Sequence, residues 1–225
     1  MKTLRLVLGD QLSRALPSLT DLDLDKDLVL MAEVMAEVTY VKHHKRKIAY
    51  LFSAMRHFAK SLGDDGIAVR YRRLDDPDNT GSLAGEVANA IAVFGPDRIV
   101  ITAPGEYRLA DEMAGWQAHF GLPVEIRDDT RFLCSLDDFA EWAEGRKSLR
   151  MEFFYRDLRR RYQVLMEGDE PIGGKWNYDA DNRQPPKAGL AVPPPSSFAP
   201  DAITAEVLAL LEMRCADHFG QLAGF

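Results

Sequence analysis

Acidic and amide side chains gather at three points where short apolar runs end. Leu8-Gly9-Asp10-Gln11 closes the run Leu4 to Leu8. Glu33, Glu37 and Tyr40 follow Leu28 to Met31, and Gly105 and Glu106, within Ala103-Pro104-Gly105-Glu106-Tyr107-Arg108, follow Arg98 to Thr102. These residue types suit recognition without bond making. A carboxylate accepts hydrogen bonds from an imide-like ring edge or a sugar hydroxyl, Gln11 can donate and accept, and Tyr40 can stack or donate. Gly9 permits close backbone approach. Plainer readings stand beside these: Asp10 as the cap of a following helix, and Glu37 as an acidic residue favoured at a helix N-terminus.

Bond-breaking chemistry is not indicated, and no catalytic residue is assigned. The chain has no Ser–His–Asp order, nucleophile elbow, HExxH or Cys–His pair. Its first turn is neither GxGxxG nor a P-loop, so phosphate cradling is not indicated. His43 and His44 are adjacent, about 100° apart on a helix, and so do not form an i, i+4 ligand pair. No metal site is expected. The run Lys42 to Lys47 reads as a solvated face, or one that meets a phosphate or an acidic partner. A second basic cluster, RKSLRMEFFYRDLRRRY at 146–162, has seven basic and two acidic residues. Met151, Phe154, Leu158, Tyr162 and Leu165 form an apolar stripe expected to dock it. Arg146, Lys147, Arg150, Arg156, Arg159 and Arg160 could then touch a nucleic-acid backbone or another domain.

The elements that must position these residues follow from periodicity. Leu4 to Leu8, Leu28 to Met31, Ile67 to Tyr71, Arg98 to Thr102 and Val124 to Ile126 are continuous apolar runs, as in strands covered on both faces. Helical spacing separates them, over Tyr40 to Leu62, Ser82 to Phe94 and Leu109 to Phe120. Strand–helix alternation predicts an α/β fold: a five-stranded parallel, doubly wound, Rossmann-like sheet with helices on both faces. In such sheets ligands bind beyond the carboxyl ends of the strands, where the three turns would converge.

Four segments are expected: an α/β domain over 1–130, a helical extension over 131–167, a linker over 168–200 and a final helix within 201–225. The extension holds helices at Ser135 to Glu144, with Ser135 as N-cap, and at Ser148 to Met166. Gly173-Gly174, Pro185-Pro186 and Pro193-Pro194-Pro195 mark the linker. The last helix, from Ile203 to about Phe219, needs an apolar partner for Val207, Leu208, Leu210 and Leu211.

Composition limits the function classes. The 225 residues are 46% apolar and 28% charged, as in ordinary globular proteins. A formal charge of -7 means that any nucleic-acid contact needs a local basic patch. Cys134 and Cys215 are far apart, which argues against a structural disulfide and fits a reducing cytoplasm. No secretory leader is recognisable, and no apolar stretch approaches the roughly 20 residues of a membrane span.

The stretches LVLGDQLS, EVMAEVTYVKHHKRKIAYLFSAMRHFA, TAPGEYR, GRKSLRMEFFYRDLRRR and GGKWNYDADNRQPP resemble the N-terminal region of the bacterial iron–sulfur photolyases and cryptochromes, and cover the chain almost end to end. The resemblance implies a light-harvesting α/β domain that holds 6,7-dimethyl-8-ribityllumazine through Leu8, Gly9, Asp10, Glu37, Tyr40, Gly105 and Glu106. It further implies a C-terminal domain carrying FAD and a 4Fe-4S cluster, and a whole protein that repairs (6-4) photoproducts in damaged DNA with light, or signals. Two cysteines cannot supply the four such a cluster takes, so this chain is expected to be inactive alone, and its last helix to lead into the missing flavin domain. Two alternatives are a Rossmann-like nucleotide-binding protein and a nucleic-acid-binding module built on 146–162.

Overall fold

The five runs of Val, Ile and Leu become one parallel sheet in the computed structural model, which describes residues 1–183, 185 and 189–225. Its strands are β1 (Thr3–Leu6), β2 (Leu28–Ala32), β3 (Val69–Arg72), β4 (Arg98–Thr102) and β5 (Val124–Arg127), in the order β3-β2-β1-β4-β5. Leu4 pairs with Leu28 on one side and Ile99 on the other. The helices between them are α1 (Met35–Thr39), α2 (Lys45–Asp64), α3 (Leu83–Phe94), α4 (Tyr107–Ala114) and α5 (Trp116–Phe120). The fold is the expected α/β, doubly wound one.

Side-chain alternation along the strands divides the core between two layers. Leu4, Leu6, Leu30, Ile99 and Ile101 pack with Val87 of α3, Met113 of α4 and Trp116 of α5. Val29 and Met31 face the other way, against Phe52, Met55 and Leu62 of α2. Arg5, on the central strand, is buried but fully bonded: Asp27 and Asp21 accept from its guanidinium, with the carbonyls of Ser18 and Thr20.

The expected helix from Tyr40 to Leu62 begins only at Lys45, after a break that separates it from the short α1 before it. The Thr39 hydroxyl bonds back to the Met35 carbonyl, and the chain turns through Tyr40 to His44. The extended His44 then caps α2, its Nδ1 accepting from the Arg46 N–H at 3.1 Å. The expected helix over Leu109 to Phe120 is likewise interrupted at Gly115, which separates α4 from α5.

The chain divides into two compact units, residues 1–131 with 199–225, and residues 132–198, rather than four consecutive segments. Completing the first is the last helix, α9 (Ala202–Arg214), whose N-cap Asp201 accepts from Thr204 N–H at 2.9 Å. Val207, Leu210, Leu211 and Cys215 are buried in the same cluster as α2. Burying Val207, Leu210 and Leu211 contributes roughly 1.5–3 kcal/mol each before entropy is counted. The apolar partner that α9 requires is thus the α/β core itself.

The second unit opens with α6 (Leu136–Ala143), started by a reciprocal capping box between Ser135 and Asp138. Next comes α7 (Met151–Tyr162), which starts three residues later than expected and ends at Gln163 in the left-handed region. Phe154 meets Phe139 and Trp142. The expected docking stripe is not a buried seam, because Met151, Tyr162 and Leu165 are exposed. A small antiparallel pair, β6 (Met166–Glu167) and β7 (Glu170–Pro171), spans the start of the expected linker, and a helical turn, α8 (Asp179–Asn182), lies within it. Gln184, Pro186, Lys187 and Ala188, including part of the Pro185-Pro186 signal, lie outside the described residues. Among the described residues no helix is long and apolar enough to cross a membrane.

Candidate functional site

From β1 the chain steps to β2 and β3 on one side, and later to β4 and β5 on the other. The carboxyl ends of β1 and β4 therefore flank the point where the strand order reverses, the place where open α/β sheets leave a crevice. A cavity of about 300 Å³ lies there, at the lower end of the size range of small-molecule pockets, roughly 300–1,000 Å³.

Its floor is the segment just beyond β1, Val7 to Gly9. One wall is Ala32, Val34, Leu83 and Leu109, and the other is the face of α2 that carries Ile48, Leu51, Phe52 and Met55. Gly9 matters at the floor: a Cβ there would stand 3.0 Å from the Met55 sulfur, so the thioether would have to move. The polar groups sit at the mouth. Leu8, Gly9, Asp10, Glu37, Tyr40, Gly105 and Glu106 all line this one cavity.

Arg108 organises that mouth. Its guanidinium donates to both Glu37 oxygens, at 3.0 and 2.7 Å, and to both Glu106 oxygens, at 3.0 and 3.2 Å. It also lies 4.4 Å from the centre of the Tyr40 ring. The bonds to Glu37 first, then those to Glu106, raise its pKa above the ordinary arginine value. Asp10, by contrast, makes no ion pair among the described residues; its carboxylate faces Gly105, where an added Cβ would lie at 3.7 Å. On the α2 side, Lys47 donates to His43 Nδ1 at 3.2 Å. Burial, then the charges of Lys47 and His218, holds the His43 pKa below its ordinary value.

Three expectations need correction. Gln11 is fully buried and does not line the cavity: its Nε2 donates to the carbonyls of Thr102 and Ala103, each at 3.1 Å, and its Oε1 accepts from Leu8 N–H. It ties the turn after β1 to the end of β4, and its amide is closed to a ligand. Glu33 is also buried, bonded to Arg56 at 2.7 and 3.0 Å, to the Tyr71 hydroxyl at 2.6 Å and to Leu74 N–H at 2.9 Å. Burial first, then the charge of Glu33, raises the Tyr71 pKa. Asp10 caps no helix, since the next helical turn begins at Pro17 with Leu16 before it.

Sequence reasoning passed over Arg108, His43 and Lys47 as site residues. Arg108 stands in a turn that had already been singled out, but its partner Glu37 is 71 positions away. Lys47, Leu51 and Met55 recur at four-residue steps, a signal that they share one face of α2.

In the second unit, much of the basic cluster is held internally. Arg159 is buried and donates to the carbonyls of Val164 and Leu165. Arg156 pairs with Glu152, Arg160 with Asp157, and Arg146 lies 4.3 Å from the Trp142 ring centre. Arg156, Arg159 and Arg160 surround the Trp176 ring at 4.6–5.3 Å. Lys147 and Arg150 make no ion pair among the described residues.

Comparison with known proteins gives three findings. A family model described as deoxyribodipyrimidine photo-lyase-related protein matches residues 5–225. The chain is 52% identical over all 225 residues to a (6-4) photolyase of Agrobacterium fabrum, but spans only 44% of that protein's length. It is 24% identical over 195 residues to an uncharacterized protein of Acanthamoeba polyphaga mimivirus, a match covering 82% of this chain and 95% of the viral one.

Proposed function

The chain belongs to the deoxyribodipyrimidine photo-lyase-related family, and from that premise we propose that its α/β unit is the light-harvesting, chromophore-binding domain of a photolyase- or cryptochrome-like flavoprotein. The observation that carries this reading is the cavity at the sheet's switch point, with apolar floor and walls, a polar mouth and no serine, threonine or cysteine among its lining residues. A pigment holder must fix a flat heteroaromatic, exclude water and leave it chemically unaltered. Apolar walls with a few orienting polar groups meet those needs.

The residues present fit 6,7-dimethyl-8-ribityllumazine. Glu37, Glu106 and Asp10 offer acceptors for its imide edge and ribityl hydroxyls. Tyr40 offers a ring face, and Leu8 and Gly9 a smooth apolar floor. When bound, the lumazine would absorb violet light and pass the excitation through space to a flavin. The chain's own work is to orient it: Arg108 keeps Glu37, Glu106 and the Tyr40 ring in fixed relation before any ligand arrives.

For the longer protein, the proposal extends to FAD and a 4Fe-4S cluster in a C-terminal domain, and to light-driven repair of (6-4) photoproducts in damaged DNA in the cytoplasm. The name of the Agrobacterium relative supports repair over signalling. Lys147 and Arg150 are the residues of the 146–162 cluster best placed to meet DNA or the flavin domain.

The test is reconstitution. Purified protein mixed with 6,7-dimethyl-8-ribityllumazine should retain it through gel filtration at one per chain, with an altered absorption band. Loss of all pigment on the column would overturn the reading, as would displacement of the pigment by equimolar NAD, which would favour the nucleotide-binding alternative.

A further inference from the structure

The wall segment Tyr40 to Lys47 supplies Tyr40, His43 and Lys47 to the cavity, yet the stretch from Val41 to His44 has no regular structure. Its support comes from the other end of the chain. His218, itself buried, donates from Nδ1 to the His43 carbonyl at 3.0 Å. Lys45 N–H, an unsatisfied donor in the first turn of α2, finds the Phe219 carbonyl at 3.0 Å. The basic run does the rest. Lys42 and Lys45 donate to the carbonyls of Asp217 and Ala216, and Arg46 to those of Gln221 and Ala223. Four carbonyls beyond α9 are thus held by cations that the sequence alone left facing solvent.

The packing is as specific as the bonding. The His44 imidazole meets the Phe219 ring edge-on at 5.3 Å. Gly220 has φ +86°, a left-handed conformation, and a Cβ there would overlap the His44 ring. Only glycine fits both demands. His44 is the cap that starts α2, and α2 carries one wall of the cavity.

We propose that residues 215–225 form a strap that sets the shape of the ligand cavity, with His218 and Gly220 as positioning residues acting through His43 and His44. Docking of the strap and occupancy of the cavity are then linked, and by reciprocity each strengthens the other. The ligand arm of the test rests on the reading that the cavity binds lumazine; the exchange arm does not.

Three variants of the full chain separate the outcomes: His218→Ala removes the bond to His43, His218→Asn keeps a side-chain N–H near the Nδ1 position, and Gly220→Ala displaces His44. Without ligand, amide hydrogen exchange over residues 40–47 should speed up in both alanine variants, return toward normal in His218→Asn, and stay unchanged in the sheet. Titrated with 6,7-dimethyl-8-ribityllumazine, the alanine variants should bind about tenfold more weakly, with His218→Asn close to the parent. Unchanged exchange over 40–47 in both alanine variants overturns the strap. So does altered exchange with unaltered lumazine affinity, because the segment is then held without shaping the cavity. If the parent binds no lumazine, the functional reading fails while the exchange result still decides the strap. Should Gly220→Ala unfold the sheet, Arg46→Gln, an exposed side chain carrying two of the strap bonds, takes its place under the same readings.

Discussion

Glu33 and Glu37 stand four residues apart after the same strand, and their surroundings differ in kind. Glu33 is wholly buried, with both oxygens bonded to Arg56 and further partners in Tyr71 and Leu74. Glu37 is part-exposed at the cavity mouth and faces an Arg108 that is itself in contact with water. A buried pair that loses one member leaves an uncompensated charge, whereas a pair near water exchanges its partner at little cost. One arrangement closes the end of the sheet. The other keeps acceptors oriented and available, as a binding site requires.

The largest effect should come from the closed cluster. Glu33→Ala should lower unfolding stability by about 3–5 kcal/mol, read as a reduced urea midpoint; a loss under about 1 kcal/mol would show that the two clusters are alike. Tyr71→Phe, which deletes one bond to that carboxylate, should cost about 1.5–3 kcal/mol, while Tyr40→Phe at the mouth should leave the midpoint unmoved. The open cluster should show the reverse behaviour. Glu37→Ala should change stability by less than about 1 kcal/mol yet weaken lumazine binding by about 1–3 kcal/mol, measured by titration of the pigment band. Equal lumazine affinity in parent and variant would erase the distinction from the other side.

The smallest effect belongs to a third, still more exposed pair, His57 with Asp201 at 2.6 Å, which joins α2 to the start of α9. Its bond to the Ser53 carbonyl, then Asp201, raises the His57 pKa above 6.5. That contribution to stability is complete below pH 6.5 and fades as pH rises through the folded value. Bonds from Thr204, then His57, depress Asp201 from 3.8 to about 2, so its contribution is present above pH 3.8 and lost as pH falls toward 2. Thermal unfolding of the parent should therefore gain from this pair between about pH 4 and 6.5, and His57→Gln should flatten the curve there. A parent and variant with parallel pH profiles would show the pair to be idle.

Much of this was legible from local pattern. Continuous Val, Ile and Leu runs identified the strands, because strands covered on both faces need no polar alternation. Strand-end carboxylates and glycines marked the cavity, because open sheets put ligands there. The failures share a cause. Spacing placed Gln11 at the right turn but could not say that its amide points down onto Thr102 and Ala103. The break between α1 and α2 depends on carbonyls 170 and more positions away. The α9 pattern was visible as a helix needing a partner, but periodicity does not say which surface that partner lies on.

The return of α9 to the α/β unit has a consequence for the order of synthesis. Along the chain, residues 132–198 intervene between the two segments that make up the first unit. A ribosome adding about 5–20 residues per second would take on the order of ten seconds to pass from Arg131 to the middle of α9. Throughout that interval the α2 face that later covers Val207 and Leu211 remains bare and available to chaperones or to a neighbouring nascent chain. The inserted unit, whose capping box and aromatic cluster are local, can organise first, so the last-made part of the first unit closes a structure begun some two hundred residues earlier.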